Sequence, residues 1–211
     1  MIDYEVIKKC DFPILKIKNF IDKDNLVKMK NEIKKLAPEL KYTEKIEREY
    51  SRIYMDKYYF DNRIESNILR NIDNILFSEE MLKIYMSINE TAFKLLHTSS
   101  NHETQLTVYG NKGEYKWHND DIVYRLVNWI LFIDIDSDFT GGENEISNDN
   151  INETFDETYH EKQTDIVTKH EDNVLIMMPC WVTHRVAPVF CKSKDILKGR
   201  ISINGHIGYR S

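Results

Sequence analysis

The chain has 211 residues, 41% of them hydrophobic, enough for one sizeable core, and no Pro/Gly/Ser-rich linker marks off a second unit. A formal net charge of −6 argues against a surface that grips nucleic acid through its phosphates. No apolar run is long enough to span a membrane, the first residues (MIDYEVIKKC) lack a signal-peptide core, and Cys10, Cys180 and Cys191 have no CxxC spacing, so reduced thiols and a cytoplasmic location are expected.

Residues 13–21 (PILKIKNFI) alternate apolar and polar positions and predict a half-buried strand. Asp22 or Asp24 can then cap a helix in which Leu26, Met29, Ile33 and Leu36 recur at helical spacing, closed by Pro38. Residues 50–60 are aromatic and β-branched and predict another strand, followed by helices over 65–77, 79–87 and 91–96. From about residue 103 the texture changes to short strand-like runs separated by turns: TQLTVYG, YKWH, VNWILFIDI, ENEIS, NVLIMMP, HRVAPVF and GRISINGHI. Helices first and an all-β half afterwards predict an α+β fold, with helices packed on a sandwich or barrel. Residues 147–173 are too polar and acidic to be core. A short strand fits 164–168; the rest reads as a solvated loop or as a lid over substrate, and His160 and His170 read as solvated loop residues.

His118 and Asp120 are two positions apart, so an extended chain points both to one side. A turn at Asp120 would also bring its carboxylate toward the same ion, while Asp121 points the other way. His184 follows the apolar run VLIMMPCW, where a neighbouring strand would end. Two imidazoles and one carboxylate on one face of an octahedron leave three positions open, the arrangement of non-haem Fe(II) oxygenases. An HxD pair alone is a weak signal, and its context carries the weight. Gly141 and Gly142 suit a tight turn with positive φ. Trp117 and Trp181 either wall the pocket or fill the core. Cys180 and Cys191 read as buried small residues, Cys180 within reach of oxidation at an iron site. His97 and His102 are further histidines without a ligand pattern.

YGNKGEYKWHND, FTGGENEIS, MMPCWVTHRVAPV and GRISINGHI follow one another in the order seen in 2-oxoglutarate/Fe(II)-dependent dioxygenases. Over about residues 105–206 the sequence resembles the prolyl 4-hydroxylase-like branch of that family. The resemblance implies a double-stranded β-helix, a cupin-like jelly-roll barrel with iron at its mouth. Residues 1–100 would be its strand and helical support and 101–211 the catalytic core of one domain, 1–211. It implies His118, Asp120 and His184 as Fe(II) ligands and Arg200 as the anchor of the far carboxylate of 2-oxoglutarate. A planar guanidinium that stays charged when buried suits that task. Ser202, two residues on, faces the same way and can add a hydrogen bond. Tyr109 either reaches the co-substrate, as a family tyrosine does, or is an ordinary strand aromatic.

The resemblance further implies O₂ as co-substrate and ascorbate as a candidate reductant. The expected reaction is hydroxylation of a C–H bond with release of succinate and CO₂. A prolyl residue of a peptide or protein is the first substrate expected and a free amino acid or small metabolite the second. A silent barrel kept as a binding module is the alternative of another class. Three departures stand out. Phe132 occupies the place of a second co-substrate tyrosine, the segment between His184 and Arg200 is long, and His206 stands where relatives often carry tryptophan. His206 reads first as a core histidine with a satisfied hydrogen bond and second as a substrate contact.

Overall fold

The computed structural model describes residues 2–42, 58–60, 67–99, 101–149 and 162–209. An edge hairpin opens it, β1 (Asp3–Ile7) on β2 (Ile14–Lys18). The sequence pattern did not signal β1, whose side chains are largely exposed or half-buried. β2 ends earlier than its alternation predicts because Asn19 turns into the left-handed region at φ 51°. α1 (Lys23–Leu36) follows, capped by Asp22, whose carboxylate accepts from the Asn25 amide at 3.0 Å. Pro38 lies within a 3₁₀ turn, Ala37–Glu39, that closes the helix. Next come β3 (Lys41–Tyr42), β4 (Tyr58–Phe60), α2 (Asn67–Leu76), α3 (Glu79–Ser87) and α4 (Thr91–Lys94), which runs on as a 3₁₀ turn, Leu95–Thr98. Of the strand predicted over 50–60, residues 50–57 lie outside the described residues, as do 65 and 66 of the predicted second helix.

The β half comprises β5 (Asn101–Tyr109), β6 (Tyr115–His118), β7 (Arg125–Ile133), β8 (Phe139–Gly141), β9 (Asn144–Ser147), β10 (Ile166–Thr168), β11 (Val174–Pro179), β12 (Thr183–Val186), β13 (Val189–Cys191) and β14 (Arg200–Gly208). The run HRVAPVF divides between β12 and β13 because Pro188 has no N–H to give a ladder, and the Ala187 amide turns to Glu143 O at 2.9 Å. All pairings are antiparallel. A major sheet has the order β1-β2-β11-β7-β14-β5-β4-β3, a minor sheet β10-β9-β12-β6, and β13 pairs with β8. Together they form the α+β jelly-roll architecture, with the sheets facing one another but not joined into a closed barrel.

Strand alternation gives the major sheet two differently employed faces. Outward, Trp129, Leu131 and Ile133 of β7, Met177 of β11, and Ile201, Ile203 and Ile207 of β14 pack with Met29 and Ile33 of α1, Ile72 of α2, Tyr85 of α3 and Phe93 of α4. Inward, Ile130, Phe132, Ile176 and Met178 meet Ile146 and Ile166 of the minor sheet. Sequence alternation therefore also faces Arg200, Ser202, Asn204 and His206 inward. Registration sets them beside residues of β5: Tyr109 opposite Arg200, Thr107 opposite Ser202, Gln105 opposite Asn204 and Glu103 opposite His206. On the other side of β14, β7 places Phe132, Ile130 and Asn128 opposite Ser202, Asn204 and His206.

The acidic stretch is partly corrected by the structure. Residues 150–161, His160 among them, lie outside the described residues, but His170 is no solvated loop residue. Its ring lies 5.3 Å from that of Phe132 and 5.2 Å from that of Phe139, and Nε2 donates to Ile201 O at 3.0 Å. Burial, and then the Arg200 charge, pulls its pKa down to about 4. The expected short strand is present as β10.

Asn173 joins the two halves of the chain. At φ 58°, its side chain accepts from the Ile21 amide at 2.8 Å and donates to Ile21 O at 2.7 Å, both buried. Asn173→Ala orphans both backbone groups and should lower the unfolding free energy in urea by about 2–3 kcal/mol; a loss under about 0.5 kcal/mol would contradict this role. His170, with a folded pKa below its unfolded value near 6.5, contributes stability that is complete above pH 6.5 and declines as pH falls toward 4. Between pH 7 and 4.5 that loss should be on the order of 2 kcal/mol, and His170→Asn should flatten the acid slope by the same amount. An unchanged slope would show that the imidazole is not held neutral.

Candidate metal and co-substrate site

His118 ends β6 and His184 lies in β12, directly opposite it in the ladder, with ring centroids 4.2 Å apart. Each ring is oriented by its own strand. Nδ1 of His118 donates to Lys116 O at 2.7 Å and Nδ1 of His184 to Val182 O at 3.0 Å. A carbonyl oxygen only accepts, so Nδ1 carries the proton and Nε2 keeps its lone pair for a metal. Tyr115 stacks on His118 at 3.6 Å between centroids.

Asp120 lies just beyond β6, where its amide donates to Cys180 O at 2.8 Å. Its Oδ1 is 3.9 Å from His118 Nε2 and its Oδ2 3.5 Å from His184 Nε2. One ligand atom from each residue lies within 4.8 Å of the others, so the three side chains can share one ion. Burial raises the Asp120 pKa, but the His206 hydrogen bond and the neighbouring histidines outweigh it and hold the carboxyl well below the ordinary range. With both rings neutral, an anionic oxygen and two imidazole lone pairs would form a donor set suited to a divalent transition metal.

The same cavity, about 580 Å³, reaches from this cluster to Arg200. Arg200 is 1% exposed. Its Nε donates to Gly142 O at 2.7 Å and Nη1 to Ser202 Oγ at 3.2 Å, while Nη2 is buried with no partner among the described residues. Burial draws its pKa down to about 10, still cationic at neutral pH, with Tyr109 and Glu143 opposing the shift. The guanidinium lies over the rings of Tyr109 at 5.2 Å and Phe132 at 5.1 Å. Phe132 thus faces the Arg200 pocket without a hydroxyl. Tyr109 lines the cavity, and burial pushes its phenol up to about 12, with Arg200 opposing. Gly142, at φ 71°, is required by close approach as well as by conformation, since a Cβ there would lie 2.9 Å from Arg200 Cδ.

At the opposite end stand groups that the sequence left unmarked. Asn128 projects from an apolar strand and donates through Nδ2 to Asp120 Oδ2 at 3.0 Å. Glu103 receives Arg125 Nη2 at 2.6 Å. Both residues line the cavity mouth. An inward asparagine in VNWILF is a visible signal once the strand is assigned; the Glu103–Arg125 contact depends on pairing across three strands. His206 is both hydrogen-bonded, as its first reading expects, and at the cavity wall. Nδ1 lies 2.9 Å from Glu103 Oε2, and Nε2 lies 3.3 Å from Asp120 Oδ2. Burial lowers its pKa, yet these two carboxylates outweigh burial and raise it overall. Trp117 is buried under Arg185 and Trp181 packs edge-on against Phe12; neither lines the cavity. Cys180 is buried and its thiol is pushed up by burial and by Asp120. Asp121 and His97 are exposed, and the His102 side chain lies outside the described ones.

A sequence profile of the 2OG-Fe(II) oxygenase superfamily matches residues 104–208. Among curated proteins no sequence matches. Among solved structures, a Pseudomonas putida prolyl-4-hydroxylase superposes with TM-score 0.59 at 16% identity, covering 95% of each chain. A Trichoplax adhaerens prolyl hydroxylase, solved with a hypoxia inducible factor peptide fragment, gives TM-score 0.61 at 12% identity over 92% of this chain and 83% of that one. A Burkholderia pseudomallei oxidoreductase of the 2OG-Fe(II) oxygenase family gives 0.58 at 13% identity over 94% and 86%. At these identities the likeness concerns the fold, and the profile carries the chemistry, with Fe(II) as the family's cofactor and 2-oxoglutarate and O₂ as its co-substrates. The chain belongs to the 2OG-Fe(II) oxygenase superfamily and folds like its prolyl 4-hydroxylase branch.

Proposed function

We propose that this dioxygenase hydroxylates an aliphatic C–H bond of a peptide or protein, with a prolyl side chain as the first substrate to test. One observation carries the active-enzyme reading. The cavity that holds the His118, Asp120 and His184 cluster also holds Arg200, whose buried Nη2 lacks a partner among the described residues. A buried N–H without an acceptor is costly, and a carboxylate is the acceptor its planar fork suits.

In this reading His118 Nε2, His184 Nε2 and the Asp120 carboxylate hold Fe(II). Arg200 takes the far carboxylate of 2-oxoglutarate, with Ser202 and Tyr109 beside it. Bound Fe(II), with 2-oxoglutarate and O₂, supplies the oxidising chemistry, converting the co-substrate to succinate and CO₂ and the substrate C–H to C–OH. The chain contributes placement. Arg200 and the metal ligands fix both ends of the co-substrate, Ile130, Phe132 and Val186 keep the interior apolar, and Ser202 holds the guanidinium in plane. Ascorbate, as a reductant of oxidised iron, belongs to the same proposal.

The rim favours a peptide. Ile122, Val123 and Tyr124 are 57%, 74% and 51% exposed, and they flank a groove of about 190 Å³ that shares Glu103, Arg125 and His206 with the main cavity. An extended chain leaving the cavity would meet this apolar edge. The peptide-bound Trichoplax adhaerens relative supports the same direction. A free amino acid or small metabolite is the second reading, favoured by the carboxylate and guanidinium of Glu103 and Arg125 at the mouth. A silent binding module is disfavoured by the complete set of side chains.

Anaerobic Fe(II) with 2-oxoglutarate should give a visible charge-transfer band, and His118→Ala should abolish it. Arg200→Ala should weaken 2-oxoglutarate about 10–100-fold while sparing metal affinity, the expected loss of a charged hydrogen-bonded anchor. An intact band in the first variant, or equal co-substrate affinity in the second, would overturn those roles. Proline-rich peptides should stimulate succinate release more than free amino acids do; the reverse order would select the second reading, and no succinate with or without substrate would select the silent module.

A further inference from the structure

The three members of the metal cluster are not held alike. His118 and His184 sit in paired strands and bond their own main chain. Asp120 lies outside any strand, in a segment whose next four residues are exposed. Its carboxylate is free to rotate unless side chains stop it. Besides His184 Nε2 at 3.5 Å, whose Nδ1 carries its ring's proton, two polar groups reach Oδ2: Asn128 Nδ2 at 3.0 Å and His206 Nε2 at 3.3 Å. Behind His206 the contacts continue. Its Nδ1 is 2.9 Å from Glu103 Oε2, and that same oxygen receives Arg125 Nη2 at 2.6 Å. Glu103, His206 and Asn128 form one row across β5, β14 and β7.

We propose that His206 is a positioning residue for the metal carboxylate, holding Oδ2 of Asp120 while Glu103 and Arg125 hold His206. A carboxylate has two equivalent oxygens and a free torsion. Donors concentrated on Oδ2 fix the torsion and leave Oδ1 for the ion. Neither Glu103 nor Arg125 needs to touch the metal; they act by keeping the imidazole edge-on to Asp120. The inference rests on Asp120 being a metal ligand and adds what orients it.

Co(II) is the probe, added to the full chain, with affinity and ligand-field absorption as readouts and far-UV circular dichroism as the folding control. His206→Ala should weaken Co(II) about 10–100-fold and alter its spectrum, the usual effect of removing a hydrogen bond to a metal ligand. His206→Gln, whose amide N–H can reach the place of Nε2, should restore affinity to within about threefold of the parent. Glu103→Gln should lie between the two. Unchanged affinity and spectrum in His206→Ala would overturn the proposal. So would a Gln variant as weak as the Ala variant, because shape rather than the donor would then be what matters. Asp120→Ala separates the two levels: parental Co(II) binding there would remove Asp120 as a ligand, whatever His206 does.

Discussion

The register of β14 between β5 and β7 is the constraint on which the rest of the structure depends. Along this strand Ile201, Ile203 and Ile207 face the helices, and Arg200, Ser202, Asn204 and His206 face the cavity. A slip of one residue would exchange the two sets. Each buried isoleucine contributes roughly 1.5–3 kcal/mol, so apolar packing against α1–α4 decides a register that also fixes the polar groups on the other face. Packing of the helices on one face of β14 thus helps to set where Arg200, Ser202, Asn204 and His206 lie on the other.

The interior so formed contains opposite charges at separate places. Asp120 is stabilised as an anion by its neighbours, whereas Arg200 is fully buried, with Nη2 unused among the described residues. The protein tolerates the cation by giving it Gly142 O, Ser202 and two aromatic faces. A buried N–H without an acceptor among the described residues costs roughly 1–3 kcal/mol, which the proposed carboxylate would offset.

Short-range pattern carried much of this to the sequence level. Period-two alternation found the strands of the β half, and helical spacing with the Asp22 cap found α1. The polar inward face of GRISINGHI was visible because each functional position alternates with isoleucine or glycine. What escaped was non-local. The division of HRVAPVF needed knowledge of Glu143 as a backbone partner, and the position of His170 needed the strands it folds onto. Glu103 and Arg125 are 22 residues apart and become neighbours only through β14 and its pairings. His206 was visible as an inward residue, but not its reach to Asp120.

The Nδ1 contacts of His118 and His184 bear on sequence drift. Both end on main-chain carbonyls two residues back, so they survive nearly any substitution at Lys116 or Val182 that keeps the strand. The imidazole half of the site is thus held by backbone geometry and not by the identity of neighbouring side chains. The carboxylate half has no such hold, since its supports are the side chains of Asn128 and His206. Substitutions of side chains around the cluster are therefore expected to disturb the acid before they disturb the paired histidines.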